Sequence, residues 1–450
     1  MTTAPVPPPG CPAHGSGRPI PLHTAQFAAD PQAFYAYMRQ HGPASAVELA
    51  PGVEATLVTD YGAALDLLQN PAVFRKDSHR WQALSEGRIP ADSPVLPLLA
   101  PRPNCMFSDG APHLRLRQAV TDSLARISDI RLSRTVERVA QYLIAQFSAR
   151  GSADLLNDYA KPLPLFVFNE LFGCPPEIGD RVMFGIAGMF DGVNAEQANQ
   201  VLVQAVSELV ALKREQPGDD VTSWLMEHQA QLNDHEMVHQ LVLLLGAGAE
   251  PLRGLVGNTL HQVFTNERFA RSGLLDEALD DTLWRNPPMA NYAPHYPAVD
   301  TDVAGHKIRA GELVMVSFAA ANAALADQAS SNRAHLAWSA GPHACPSKEP
   351  ARLITLTAIE HLLNELPDVE LAVPEESLTW RPGPFNRALA QLPVRFGPVK
   401  SRISAQPQPQ QQQPETPQQP QAPQHMAPSA DAGNSKRPGR WSAFLTWLQG

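Results

Sequence analysis

A chain of 450 residues, 44% of them hydrophobic and 18% charged, can bury a large core in one big domain or two ordinary ones. Its formal charge of −10 argues against a general nucleic-acid binder, because phosphate contacts need clustered Lys and Arg. Four widely spaced cysteines (Cys11, Cys105, Cys174, Cys345) form no CxxC pair, which suits free thiols in a reducing, cytoplasmic compartment, and no apolar run of about 18 residues is present to span a membrane.

Residues 1–20, rich in proline and without the apolar segment of a secretion signal, read as a disordered arm; Cys11 and His14 there are too few for a metal site. DPQAFYAYMRQHG (30–42) has the Asp-Pro start and Gly stop of a helix. ASAVELAPGVEATLVT (44–59) predicts two strands around a Pro-Gly turn, and DYGAALDLLQNP (60–71) returns to helix. From about 113 to 265, apolar residues recur at three- and four-residue steps, the helical period. Residues 235–264 make the longest helical candidate, and its centre LVLLLGAGAEP is apolar on every side, so it should run through the middle of the fold. Strands are expected across 298–320, a helix after Cys345, and short strands near 395–398. The whole reads as mainly α with small β-sheets.

After about residue 402 the composition becomes Pro- and Gln-rich and cannot bury enough apolar surface to fold, so 403–440 is expected to be a disordered linker. WSAFLTWLQG (441–450) differs. Trp441, Phe444, Leu445 and Leu448 fall on one helical face behind Lys436, Arg437 and Arg440. Ten residues are too few for a stable isolated helix, so this segment is expected to fold only on a surface, either a protein groove or a membrane.

HLAWSAGPHACPSKEPAR (335–352) places Cys345 between a glycine-containing loop and a helix start. A metal-binding thiolate must be ionised, open toward the metal, and stabilised by donors, which a helix N-terminus supplies. The stretch resembles the haem-binding signature of the cytochrome P450 haem-thiolate monooxygenases, Phe-x-x-Gly-x-His-x-Cys. Trp338 stands in the place of Phe, while Gly341, His343 and Cys345 match, as do Ala351 and Arg352 in the helix that follows. Ser347 and Pro350 depart from the pattern. DGAPHLRLR (109–117) is similar to the family's His-x-x-x-Arg helix, with His113 and Arg117 on one face.

The resemblance implies a cytochrome P450 domain over 21–402, with haem b between the long central helix and the cysteine helix. Cys345 would be the axial iron ligand. Gly341 would let the loop pass under the macrocycle, His113, Arg117 and His295 would be the propionate partners, and His343, Ala247 and Gly248 would also be cofactor-binding. In the family, an arginine often stands where this chain has His295, which would be charged only near or below neutral pH.

Three departures stand out. The oxygen-activating helix of the family carries Ala-Gly-x-Asp/Glu-Thr, and here Ala247-Gly248-Ala249-Glu250-Pro251 keeps the acid but replaces the alcohol by proline. Glu250 is left as the candidate catalytic proton relay. The family's Glu-x-x-Arg pair reads Asp281 and Trp284, as in a small bacterial branch. The stretch before the cysteine loop is short and lacks the usual Arg-Phe-Asp cluster, so the buried charge network is expected to have been dismantled as a set. The implied function is monooxygenation of a small organic substrate with electrons from a ferredoxin and its reductase, with oxygen activation impaired or peroxide-dependent. The alternative is a catalytically degenerate, haem-binding regulatory or adaptor protein.

Overall fold

The computed structural model describes residues 18–191, 195–328, 332–397 and 439–449. Cys11, His14, Lys436, Arg437 and nearly all of the expected arm and linker lie outside these residues. Local rules account for the first elements. Asp30 and Asp60 accept backbone N–H bonds from Ala33 and Ala63, capping helices Pro31–His41 and Tyr61–Gln69. Strands Ala44–Ala50 and Val53–Val58 pair antiparallel across the Pro51-Gly52 turn, as their alternation predicts.

These strands belong to a six-stranded sheet in the order Ile20–Pro21, Ala44–Ala50, Val53–Val58, Val314–Ser317, Asn291–Pro297, Phe74–Arg75. Two corrections fall here. NYAPHYP forms strand Asn291–Pro297, which its two interior and terminal prolines argue against in sequence; Lys76 Nζ and Gly311 N donate to the carbonyls of Pro294 and Pro297. The strand expected across LVMVSFAAA ends at Ser317, whose hydroxyl accepts from Ala320 N and starts helix Phe318–Ala323. The closing strand is Pro393–Arg395, paired with Glu370–Leu371 and Ser152–Asp154.

The central helix spans Asp234–Thr265 and opens with a capping box, in which Asn233 accepts from Glu236 N and Glu236 accepts from Asn233 N. Leu241, Leu245, Val256 and Leu260 are buried against helices Pro162–Leu171, Ala195–Glu215 and Lys348–Glu365, which places the helix inside the main core as its all-round apolarity requires. Pro251 sits within it without ending it.

The charge network is displaced rather than dismantled. In helix Leu275–Arg285, Trp284 turns its indole N–H to the Asn332 carbonyl (3.0 Å), and Asp281 takes Gln262 and Arg285. One turn earlier, Asp276 and Asp280 lie on one face at i, i+4, and both carboxylates bind Arg333 and Arg352. Arg333 belongs to the shortened stretch that lacks the family's cluster, and Arg352 is the matched arginine of the cysteine helix, Lys348–Glu365. Helix Leu275–Arg285, the shortened stretch and the cysteine helix are therefore tied by charge.

The last helix, Arg440–Gln449, lies on this chain itself, in a groove beside helix Pro176–Asp191. The surface on which the tail folds in this structure is a groove of its own domain. Trp441 and Phe444 are fully buried, Leu445 and Trp447 pack beside them, and Leu448 stays exposed because Trp447 takes its place on the buried face.

Arg352 is buried with two carboxylates on it, so Arg352→Met should destabilise the fold by about 2 kcal/mol, below the usual cost of breaking a buried pair because Arg333 remains. Trp284→Phe, which loses one hydrogen bond, should cost about 1 kcal/mol. Urea-unfolding midpoints of the two variants check both values.

Candidate functional site

The cysteine loop is closed by backbone. Cys345 N donates to the Trp338 carbonyl at 2.8 Å, and Ser347 N points at Cys345 Sγ at 3.4 Å. Gly341 has φ +68, and a Cβ there would sit 2.1 Å from the Leu68 carbonyl oxygen. The glycine is therefore required by contact with helix Tyr61–Gln69. Cys345 is partly accessible. Burial pushes its thiol pKa up, opposed by the Ser347 N–H and the nearby Arg117 guanidinium, so a metal must displace its proton on binding.

Helix Gly110–Leu124 brings the other partners. Arg117 donates to the Ala344 carbonyl, next to the cysteine, and the His113 ring lies 3.9 Å from the His343 ring, at 31°. His295 is buried on strand Asn291–Pro297, with Nδ1 2.7 Å from the Ala293 carbonyl. These four predicted residues converge with Cys345.

A fifth residue joins them that sequence reasoning missed. Lys76 is 3% exposed, and its Nζ donates to the Pro294 carbonyl at 2.7 Å, one residue before His295. Burial lowers its pKa to about 7, with Asp109 opposing. No motif marks it; only the pairing of Phe74–Arg75 with Pro297 and Tyr296 carries it to the site. Asp109 ties the arrangement together, because its carboxylate accepts from the backbone N–H groups of Lys76 and Asp77 just before the His113 helix begins.

Electrostatically the cluster is a set of nitrogen bases whose protonated forms burial and mutual repulsion disfavour. Burial, then Lys76, His113, His295 and Arg117, push the His343 pKa down to about 2. His113 is lowered by burial and by Arg117, and its Nε2 is buried without a hydrogen-bond partner. His295 is held neutral well below its usual value by burial and by Lys76, so the charge expected for it near pH 6 is absent. An anionic group with paired carboxylates fits this cluster and would satisfy the orphaned nitrogen.

The distal candidates divide. Ala247 is exposed although Leu245, Ala249 and Glu250 around it are buried, which opens a space at the middle of the central helix. Gly248 faces elsewhere: a Cβ on it would lie 2.6 Å from the Phe168 ring, so it serves helix packing. Glu250 is also turned to protein. Its Oε1 accepts from Arg381 Nη1 at 2.6 Å and its Oε2 from Arg253 Nη1 at 3.4 Å. Glu250 and Gly248 are therefore not brought to the cysteine cluster.

An accessible cysteine in a closed loop, a basic cluster beside it and an open position on a long central helix define a haem-thiolate protein. No family model matches the chain. Curated relatives do: cytochrome P450 107B1 of Saccharopolyspora erythraea is 31% identical over 392 residues, 82% of this chain and 96% of that protein. The cytochrome P450 monooxygenase PikC of Streptomyces venezuelae is 31% identical over 394 residues, 82% and 92% of the two chains. Among solved structures, CYP154C4 from Streptomyces sp. W2061 superposes with a TM-score of 0.75 at 28% identity, over 85% of this chain and 99% of that one. CYP154A1 from Streptomyces coelicolor A3(2) gives 0.73 at 26% identity, over 84% and 100%. The chain belongs to the cytochrome P450 family; it is a haem-binding oxidoreductase with the family's mainly helical fold.

Lys76→Met should speed haem loss to apomyoglobin by roughly tenfold to a hundredfold, the worth of one charge-assisted hydrogen bond, while His295→Ala changes it less. In the haem-free protein Lys76 is neutral above pH 7, whereas the unfolded chain keeps its proton to about 10.5. Stability should therefore rise with pH across that window, by at most about 1.4 kcal/mol per unit, and Lys76→Met should flatten the rise in urea titrations at pH 7 and 9.

Proposed function

We propose that this chain is a monooxygenase in which Cys345 ligates haem iron, while Lys76, His113, Arg117 and His343 hold the propionates. The observation that carries this reading is the convergence of those side chains on one accessible cysteine. Bound there, haem supplies dioxygen activation: one oxygen atom enters a C–H bond of the substrate and the other leaves as water, consuming two electrons and two protons. Ala247 lines the substrate side. The substrate is a small organic molecule; the relatives named as a 2-hydroxy-5-methyl-1-naphthoate 7-hydroxylase, a vitamin D(3) 25-hydroxylase and a steroid C26-monooxygenase support an apolar one built on rings.

Electrons come from a ferredoxin-type partner and its reductase, as the resemblance to bacterial members implies. The three free cysteines among the described residues, and the lack there of any helix able to cross a membrane, fit a cytoplasmic site. No observation among the described residues favours the regulatory alternative.

Proton handling departs from the family pattern. Pro251 offers no hydroxyl, and because it has no N–H, the Ala247 carbonyl lacks its helical donor. That carbonyl is a fixed acceptor for water at the open position. Glu250, with two guanidiniums on its carboxylate, must leave Arg381 before it can carry a proton. Proton supply then rests on water alone, and reducing equivalents leak to peroxide.

Cys345→Ala should abolish the red-shifted Soret band of the reduced carbon-monoxide complex while far-UV circular dichroism stays unchanged; a retained band would remove Cys345 from the iron. For turnover with a surrogate ferredoxin, product formed per NAD(P)H consumed should be well below one half, and Pro251→Thr should raise it severalfold. Near-complete coupling in the wild type would refute the leaky proton path.

A further inference from the structure

A ten-residue segment is too short to be a stable helix in water, and Arg440–Gln449 is helical because a groove completes it. The Asp180 carboxylate, on helix Pro176–Asp191, accepts Trp441 N at 2.7 Å, Ser442 N at 3.3 Å and the Ser442 hydroxyl. A side chain of one helix thus caps the open N-terminus of another, with its charge at the favourable end of the dipole. Trp441 Nε1 donates to the Cys174 carbonyl at 3.1 Å. Phe444 lies 5.1 Å from Tyr142 and 5.2 Å from Phe166, both edge-on.

The receptor side is shaped for this occupant. A Cβ on Gly179 would fall 2.1 Å from Trp441 Cδ1, and one on Gly439 would fall 2.1 Å from Asp180 Cγ. Glycine inside a helix only weakens it unless something must come that close; at Gly179 that something is the tail tryptophan. Beside the same notch the Asn169 amide is buried with neither atom hydrogen-bonded, which makes the docked state shallower.

The clamped helix also packs against the central helix. Ile186 and Ala187, further along it, line a small cavity with Ala249, Glu250 and Arg253 of the central helix. About 40 residues join Gly397 to Gly439, a contour of roughly 130 Å, so the tail meets the groove as an intramolecular partner at millimolar-order effective concentration.

We propose that the groove of Tyr142, Phe166, Cys174, Gly179 and Asp180 is a receptor for this chain's own C-terminal helix, which acts as a releasable strap. Docked, it holds Pro176–Asp191 against the central helix; released, it lets that helix move and opens the small cavity that Ile186 and Ala187 line with Ala249, Glu250 and Arg253. This does not depend on the oxygenase reading, since the strap is read by exchange rather than turnover.

The test uses the full-length holoprotein, a deletion of residues 439–450, Gly179→Ala, and the two combined. Alanine strengthens an isolated helix, so Gly179→Ala removes the notch without weakening its own element. Amide hydrogen exchange across 176–191 should quicken at least tenfold in each variant, with no further gain when they are combined. Unchanged exchange on deletion would overturn the strap. So would tail amides that exchange like a free peptide in the wild type, or a dimer on size exclusion that the deletion dissolves, since the groove would then hold a second copy's tail.

Discussion

Lys76, His113, Arg117, His295 and His343 stand together behind the cysteine loop, and burial withholds the water that would otherwise stabilise their charge. A nearby carboxylate, Asp109, is occupied with backbone N–H groups of Lys76 and Asp77. An anion bound there would favour the protonated forms that burial opposes, and four separate segments must meet to build the cluster: strands Phe74–Arg75 and Asn291–Pro297, helix Gly110–Leu124, and the cysteine loop. The sheet order brings the first two together, and the Arg117 contact with the Ala344 carbonyl joins the other two. A ligand with paired carboxylates and a metal meets both the cations and the thiol at once, which is why the rest of the proximal architecture depends on this meeting point.

The chain keeps a family-scale constraint while changing the residues that meet it. Helix Leu275–Arg285, the stretch carrying Arg333, and the cysteine helix must be held at fixed separation for the loop to present Cys345. Asp276 and Asp280, one helical turn apart, do this with Arg333 and Arg352, and Trp284 closes the old position with its hydrogen bond to the Asn332 carbonyl and its edge on His335. Charge pairs held by two acids and two bases are replaced most cheaply as a set, which explains how the position of the pair could shift without loss of the fold.

The central helix shows a comparable division between packing and chemistry. Gly248 and Glu250, which a motif reading assigns to one oxygen-activating unit with Ala247, project to different neighbours: a phenylalanine ring and two arginines. With Pro251 in place of an alcohol, only Ala247 remains on the open side. The C-terminal helix bears on the central helix from outside, through the helix whose far end lines the cavity beside Glu250.

By itself the sequence determined those features whose causes are local. Capped helices at Asp30, Asp60 and Asn233, the hairpin about Pro51-Gly52, the buried course of 235–264 and the spacing of Gly341, His343 and Cys345 all follow from periods and end-signals a few residues long. Tertiary structure alone decided the rest. Lys76 reaches the site by a strand pairing more than two hundred residues away in sequence, Gly341 is dictated by the Leu68 carbonyl, the aspartate pair is completed by Arg333 and Arg352, and the tail's surface proved to be its own chain. Long-range pairing and the loss of water on burial set those outcomes, and neither is written in the residues that flank the positions concerned.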